Sequence, residues 1–344
     1  MHARTLLAAA AFLAVSLGTV EARDLTLATR GGFAQQSIKQ VFAAPFTAAT
    51  GIAVQDESWE GGIDALRAQA KAPDNNWDLV LVDGGELATG CGENLFEKLD
   101  WSAIGGKDHY LPQAVSDCGV GAGVANLVLA WDRDKFPGTP TWSDFWDVAK
   151  YPGKRGLHSG VRGNLEFALI ADGVAPGDVY KVLATADGVD RAFRKLDQLK
   201  PYIVWWQTSA EATHILASGD VLMTSAPSAE IATVNRMEHR NFGMQWTAGL
   251  YKVLSWAILK GSPNLRLANQ FLYFMGTPAI ETELVGKFGQ GGLAKGANDG
   301  LPPELAAISP TSPANLAASV RVDAGFWHDN LSKLRPRFET WLAH

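Results

Sequence analysis

At 344 residues the chain has room for two domains of ordinary size, each with its own core. Its 47% hydrophobic and 19% charged residues exclude an intrinsically disordered protein. A net charge of −6 at pH 7 gives no electrostatic basis for binding nucleic acid or an anionic membrane surface.

The first residues read as an export signal. Arg4 supplies a short basic start, Leu6 to Val20 is an apolar run, and Val20-Glu21-Ala22 offers small residues where a signal peptidase reads. Residues 1–22 are therefore expected to be removed after Ala22, and the run is too short and too weakly flanked to make a good membrane span. No cysteine follows the cleavage site to carry a lipid, so the expected location is the periplasm of a Gram-negative cell. In an oxidising compartment Cys91 and Cys118 are expected to pair, a constraint worth about 3 to 4 kcal/mol in the loop-entropy model. The alternative, free thiols or a metal site, lacks a nearby histidine pair.

Leu25 to Thr29 reads as a short buried strand, followed by a helix from about Phe33 to Ala49 that Gly51 stops. Ile52 to Glu57 is the next strand. A helix opening at Gly61-Gly62 places Ile63, Leu66 and Ala70 on one face, and Trp77 to Val82 forms a third strand ending in Asp83-Gly84-Gly85. In open α/β sheets, loops at strand carboxyl ends are where ligands sit.

Cys118 to Asp132 is apolar, Gly-rich at its start and long for one strand, and it is read as a crossing from one α/β half into another. Gly119, Gly121 and Gly123 lack the spacing of a dinucleotide fingerprint and point instead to close backbone approach. Beyond it the pattern repeats. A helix begins near Thr141, strands run over Lys154–Ser159, Tyr202–Trp206 and Asp220–Thr224, and helices run over Leu165–Ala171, Val189–Leu199 and Glu211–Ala217. Tyr251 to Gly261 would carry the chain back, two helices follow over 264–275 and 278–288, a Pro-rich passage spans 301–313, and a last helix starts near Ala324. Two crossings between two α/β halves make a hinge, and a hinged cleft traps ligands. The expected division is 23–130 plus about 253–297 for one domain, and 131–252 plus about 298–344 for the other.

Catalytic signatures are thin. There is no G-x-S-x-G or H-E-x-x-H motif, and Glu211 with His214 is at most half a metal site. No cofactor or metal is expected, and a binding protein is preferred over the alternative of an exported bilobal enzyme.

Several motifs occur in a fixed order: Phe46-Thr-Ala-Ala-Thr-Gly-Ile52, Trp77-Asp78, Cys91-Gly-Glu through Leu99-Asp100-Trp101, Pro140-Thr-Trp142-Ser-Asp144, Tyr151-Pro-Gly-Lys-Arg155-Gly and Leu165-Glu166-Phe through Asp172-Gly-Val174. Together they resemble the extracellular solute-binding proteins of the spermidine/putrescine type, which serve ATP-driven importers. The resemblance implies a two-domain α/β periplasmic-binding-protein fold, closure on a small-molecule ligand, and delivery to a membrane permease, with the protein acting as a monomer.

Polyamine binders of that family hold ammonium groups with carboxylates and aromatic rings. This chain departs from the pattern: Lys252-Val-Leu254 stands where an acidic tract is common, and Pro227-Ser-Ala-Glu230 where relatives carry Tyr-Asn-Gly-Arg. Arg30, Arg162 and Lys252 are expected to face the cleft and hold a carboxylate, with Gly31 and Gly84 in the adjoining loops. Trp59, Trp206 and Tyr251 are candidate walls, although most of the twelve tryptophans are expected to be core anchors. Asp83 and Glu230 could take an ammonium, so the expected ligand is carboxylate-bearing or zwitterionic, with a polyamine as the alternative.

Overall fold

The computed structural model describes residues 23–72 and 75–344; the expected signal peptide, residues 1–22, lies outside the described residues. The strands are β1 (Leu25–Thr29), β2 (Val54–Ser58), β3 (Leu79–Val82), β4 (Gly119–Asp132), β5 (Arg155–His158), β6 (Ile203–Trp206), β7 (Met223–Pro227), β8 (Phe242–Ile258) and β9 (Val320–Arg321). They form one sheet in the order β2-β1-β3-β8-β4-β7-β5-β6, with β9 on β8. Pairing is parallel among β1, β2 and β3 and among β5, β6 and β7; β4 and β8 run antiparallel to each other and to β7 and β3 respectively, while the short β9 pairs with β8 in parallel.

Two cores lie at opposite ends of this sheet. Period-2 alternation puts Leu79 and Leu81 against the helices on one face, with Leu27, Phe42, Phe46 and Trp256. Val80 and Val82 turn to the other face, with Ala28, Leu66, Trp77 and Phe96. At the far end Leu129, Trp131, Leu157 and Leu165 pack beneath Trp327 and Phe338 of the last helix, and Ala130, Trp206, Leu216 and Ile231 fill the opposite face. Nine of the twelve tryptophans are buried, so as a class they are core anchors.

The long strands connect these ends. β3 is attached to β8 over Ser255–Ile258, and β7 to β4 over Leu127–Trp131. Between those attachments, residues 123–126 of β4 pair with 251–254 of β8, and neither β3 nor β7 extends along their flanks. The glycines at the start of β4 allow close approach. A Cβ on Gly121 would come within 2.5 Å of Leu293 and 2.8 Å of Ala114, and one on Gly119 within 2.7 Å of Leu87. The Cys91–Cys118 disulfide is formed and ties the Gly84–Gly92 helix to the beginning of β4.

Several expected boundaries move. The helix predicted over 33–49 runs to Thr50 with a π-helical stretch over Lys39–Ala43, and Gly51 stops it in the left-handed conformation as expected. The return strand starts at Phe242, nine residues before Tyr251, because its partner β4 continues to Asp132 and supplies a ladder that far. The strand expected over 220–224 lies at Met223–Pro227, and Ser228–Met237, where no helix was expected, is helical.

The sequence motifs are structural anchors. The Asp78 carboxylate is fully buried and accepts hydrogen bonds from Arg23, the Thr26 amide, Ser262 and Asn264, joining β1, β3 and the turn after β8. Buried Arg155 donates to the carbonyls of Phe145, Tyr151 and Gly153, and desolvation pulls its pKa down to about 10. Buried Glu166 accepts from the Gly163 amide, the Tyr180 hydroxyl and Trp327 Nε1, fastening the C-terminal helix to the second core.

Candidate functional site: the charged cleft beside β8

A cleft of about 490 Å³ opens beside the unflanked part of β8. The carboxyl ends of β1, β2 and β3 contribute Arg30, Glu60 and the Asp83–Glu86 turn. The loop after β5 contributes Arg162, β8 contributes Lys252, and the C-terminal segment adds Arg321, Trp327, His328 and Arg335. Strand carboxyl ends of the two halves thus converge on one space, as the open α/β arrangement favours.

Each first-half side chain is held locally. Asp83 caps the Gly84–Gly92 helix, its Oδ1 accepting from the Gly85 and Glu86 amides at 3.0 Å, while Glu86 reaches back to the Asp83 amide. This leaves Asp83 Oδ2 facing outward, 3.9 Å from Arg162 Nη1 of the opposite half. Gly84 keeps the helix start close to the C-terminal helix, since a Cβ there would lie 3.1 Å from the Ala324 Cβ. Arg30 makes two bonds to Glu86, at 2.6 and 2.7 Å, and one to the Glu60 carbonyl, and it lies 4.4 Å over the Trp59 ring. Gly61, at φ 89°, leaves room for that guanidinium: a Cβ there would overlap it.

Lys252 differs. Among the described residues its ammonium has no hydrogen bond or ion pair, and it is exposed to the cleft at the base between the halves. Desolvation by the surrounding walls lowers its pKa; Arg162 and Arg30 push the same way, while Asp83 and Glu86 oppose them. Arg321 and Arg335 likewise carry no ion pair among the described residues. With Glu86 engaged by Arg30, the cleft presents positive charge together with the outward Asp83 Oδ2 and, at its exposed edge, the Glu60 carboxylate. That combination can clamp a carboxylate by charge-assisted hydrogen bonds and hold an ammonium beside it.

Of the residues singled out from the sequence, Arg30, Asp83, Gly84, Arg162 and Lys252 line this cleft. Gly31 and Glu230 line a second pocket on the β4 side. The three aromatic walls are corrected. Trp59 is buried under Arg30 and packs edge-on against Trp77, Trp206 is buried beside His158, and Tyr251 is buried among the first core's side chains. Each lies on a strand or at a strand end with its side chain on a covered face, where an aromatic side chain fills a core. Arg321, Trp327, His328 and Arg335 were not anticipated; β9 pairs with β8 at Leu250 and Tyr251 and brings them beside Lys252, a long-range contact with no local signal. Among the described residues no group of three or more His, Cys, Asp or Glu is placed to hold a metal ion.

Two α/β ends joined by crossing strands around a polar cleft define a solute-binding protein. Residues 42–311 match the model of the bacterial extracellular solute-binding proteins, and the chain belongs to that family. It is 39% identical over 324 residues to the gamma-aminobutyric acid-binding protein of Pseudomonas aeruginosa, covering 94% of this chain and 92% of that one. Among solved structures it is similar to an ABC transporter substrate-binding protein from Bradyrhizobium japonicum, with 30% identity, a TM-score of 0.81, and coverage of 92% of this chain and 99% of that one. It is also similar to the Atu4243 GABA receptor, with 27% identity, a TM-score of 0.82, and coverage of 93% and 98%.

Proposed function

We propose that this protein is the substrate-binding component of an ABC transporter, that it works as a monomer in the periplasm of a Gram-negative cell, and that it delivers its solute chemically unchanged to a membrane permease. Its solute carries one carboxylate and one ammonium group, and 4-aminobutyrate is the first candidate. The carboxylate sits against Arg162 and Lys252, and the ammonium against Asp83 Oδ2. The observation that carries this reading is the meeting of Arg162 and Asp83 across the cleft at 3.9 Å, beside a lysine without a partner among the described residues. The names of the Pseudomonas relative and of the Atu4243 receptor support the same solute class. In this reading residues 23–130 and about 253–297 form one domain, residues 131–252 and about 298–344 the other, and the solute joins them.

Titration calorimetry with 4-aminobutyrate, α-amino acids, putrescine and spermidine tests the assignment. Binding of 4-aminobutyrate or a related aminocarboxylate, weakened by Arg162→Ala, is expected. Tight binding of putrescine or spermidine with none of the aminocarboxylates would restore the polyamine alternative.

A further inference from the structure

Arg236 joins the two ends of the molecule although it lines neither the charged cleft nor the second pocket. It sits in the last turn of the Ser228–Met237 helix, whose Ile231 packs with Trp206 and Leu216 in the core at the β7 end. Its guanidinium donates from Nη1 to the Gly286 carbonyl at 2.8 Å and from Nη2 to the Lys287 carbonyl at 2.5 Å. Those carbonyls close the Pro278–Phe288 helix, whose Leu284 and Phe288 belong to the other core, with Phe42 and Phe46.

The chemistry of that helix end suits a forked cation. The Val285 and Leu284 carbonyls are taken by the Gly289 and Gln290 amides, so the two carbonyls that Arg236 meets are ones the helix cannot satisfy itself. A helix carboxyl end also carries partial negative charge, and a planar guanidinium reaches two acceptors at once where an ammonium reaches one. Close approach is built in beside it. Gly289 ends the helix in the left-handed conformation, and a Cβ there would lie 2.7 Å from the Ala232 Cβ.

The same two helices face each other across the second pocket, which Ala229 and Glu230 line from one and Leu284 and Gln290 from the other. Opening the molecule along the crossing strands separates them and parts Arg236 from its carbonyls. The bonds therefore exist in the closed arrangement, the one in which Arg162 faces Asp83 at 3.9 Å.

We propose that Arg236 is a closure latch: a positioning residue outside the solute's reach that favours the closed form and thereby raises solute affinity. The inference rests on the reading that two lobes close on a solute, and is independent of which solute it is. A residue that sets the population of the binding-competent form scales every affinity alike.

The test compares the mature wild type, Arg236→Ala and Arg236→Lys, with 4-aminobutyrate, 5-aminopentanoate and putrescine as probes in calorimetry and stopped-flow mixing. Arg236→Ala should weaken every probe that the wild type binds by one common factor of about three- to tenfold, modest because the bonds are exposed, and carried by faster dissociation. Arg236→Lys, with charge but no fork, should recover part of it. Nitroxides on Lys98→Cys and Gln198→Cys, exposed sites at the two ends, supply a readout without solute: Arg236→Ala should shift the distance distribution of the free protein away from that of the closed form. A residue that only caps its neighbour's helix would lower the melting midpoint and leave affinities and distances in place, and that result would overturn the proposal, as would a loss confined to one probe. Should the wild type bind none of the probes, the solute assignment fails by itself, and an unchanged distance distribution in the free Arg236→Ala protein would then overturn the latch.

Discussion

Arg30, Asp83, Arg162 and Lys252 share one cleft but are not equally free to meet a solute. Arg30 is already committed to Glu86 and to the Glu60 carbonyl and rests on Trp59, so its first duty is to hold the loops after β1, β2 and β3 together. Arg30→Ala is therefore expected to cost about 1 kcal/mol of stability, the pair being partly exposed. Arg162 is nearly half exposed; its one ion pair among the described residues is with Asp83, at 3.9 Å, and its guanidinium lies 5.8 Å from the centre of the Trp327 ring. Arg162→Ala should lower aminocarboxylate affinity by roughly one to two decades, the loss of a charge-assisted bond worth about 1.5 to 3 kcal/mol. Its melting temperature without ligand should stay at the wild-type value; calorimetry and thermal melts separate the two variants. Lys252 carries a further consequence. Its pKa is lowered chiefly by desolvation, and an arriving carboxylate favours the charged form, so binding on the alkaline side should take up protons. The heat of binding there should vary with the ionisation enthalpy of the buffer, and Lys252→Arg should remove the variation. Equal heats in all buffers would count against a carboxylate beside Lys252.

Among the elements, the Gly84–Gly92 helix is held at both ends. Asp83 caps its start, and Cys91 near its end is bonded to Cys118 at the entry to β4, closing a 27-residue separation. Reduction should lower stability by about 3 to 4 kcal/mol, read as an earlier midpoint in denaturant; an unchanged midpoint would mean that the bridge constrains little. The Pro278–Phe288 helix carries a second testable feature. Glu281 is fully buried there; one carboxyl oxygen accepts from the Ala294 amide, the other has no partner among the described residues, and burial pushes its pKa up to about 8. Unfolded, the group titrates near 4.5. Between these values the folded state holds the extra proton, so stability is full at acid pH and declines as pH rises toward 8. The melting temperature of Glu281→Gln, relative to wild type, should rise progressively from pH about 5 to about 8. A difference independent of pH would contradict this account of the helix.

For the whole molecule, the two cores are linked by β4 and β8, by the contact between Gly84 and Ala324, and by Arg162 facing Asp83. A solute that bridges Arg162 and Asp83 touches both ends and shifts the population toward closure. Small-angle scattering should record a smaller radius of gyration with saturating aminocarboxylate, and Arg162→Ala should need more ligand to reach it. An unchanged radius at saturation would contradict a hinge along the crossing strands.

Much of the architecture was legible locally. β1 lies at the predicted residues, Gly51 stops the first long helix through its left-handed conformation, the glycines of β4 meet close neighbours, and the cysteines pair. These features depend on short-range pattern, backbone conformation and the redox chemistry of export. The ordered motifs identified a family, and in the structure Asp78, Arg155 and Glu166 among them prove to be buried anchors; a motif of buried charge marks a fold and leaves the ligand open. What only the tertiary structure decided is who faces the cleft. Trp206 and Tyr251 pack into cores because each points to the covered face of its strand. Arg321, Trp327 and His328 reach the charged cleft, far in sequence from its other residues, because β9 pairs with β8 and Glu166 fastens Trp327. Asn126 becomes a pocket group only because β7 ends at Pro227, opposite Leu127, leaving the next residues of β4 without a strand on that side. Periodicity tells which residues share a face; what covers that face is set by long-range pairing, and no local window of sequence contains it.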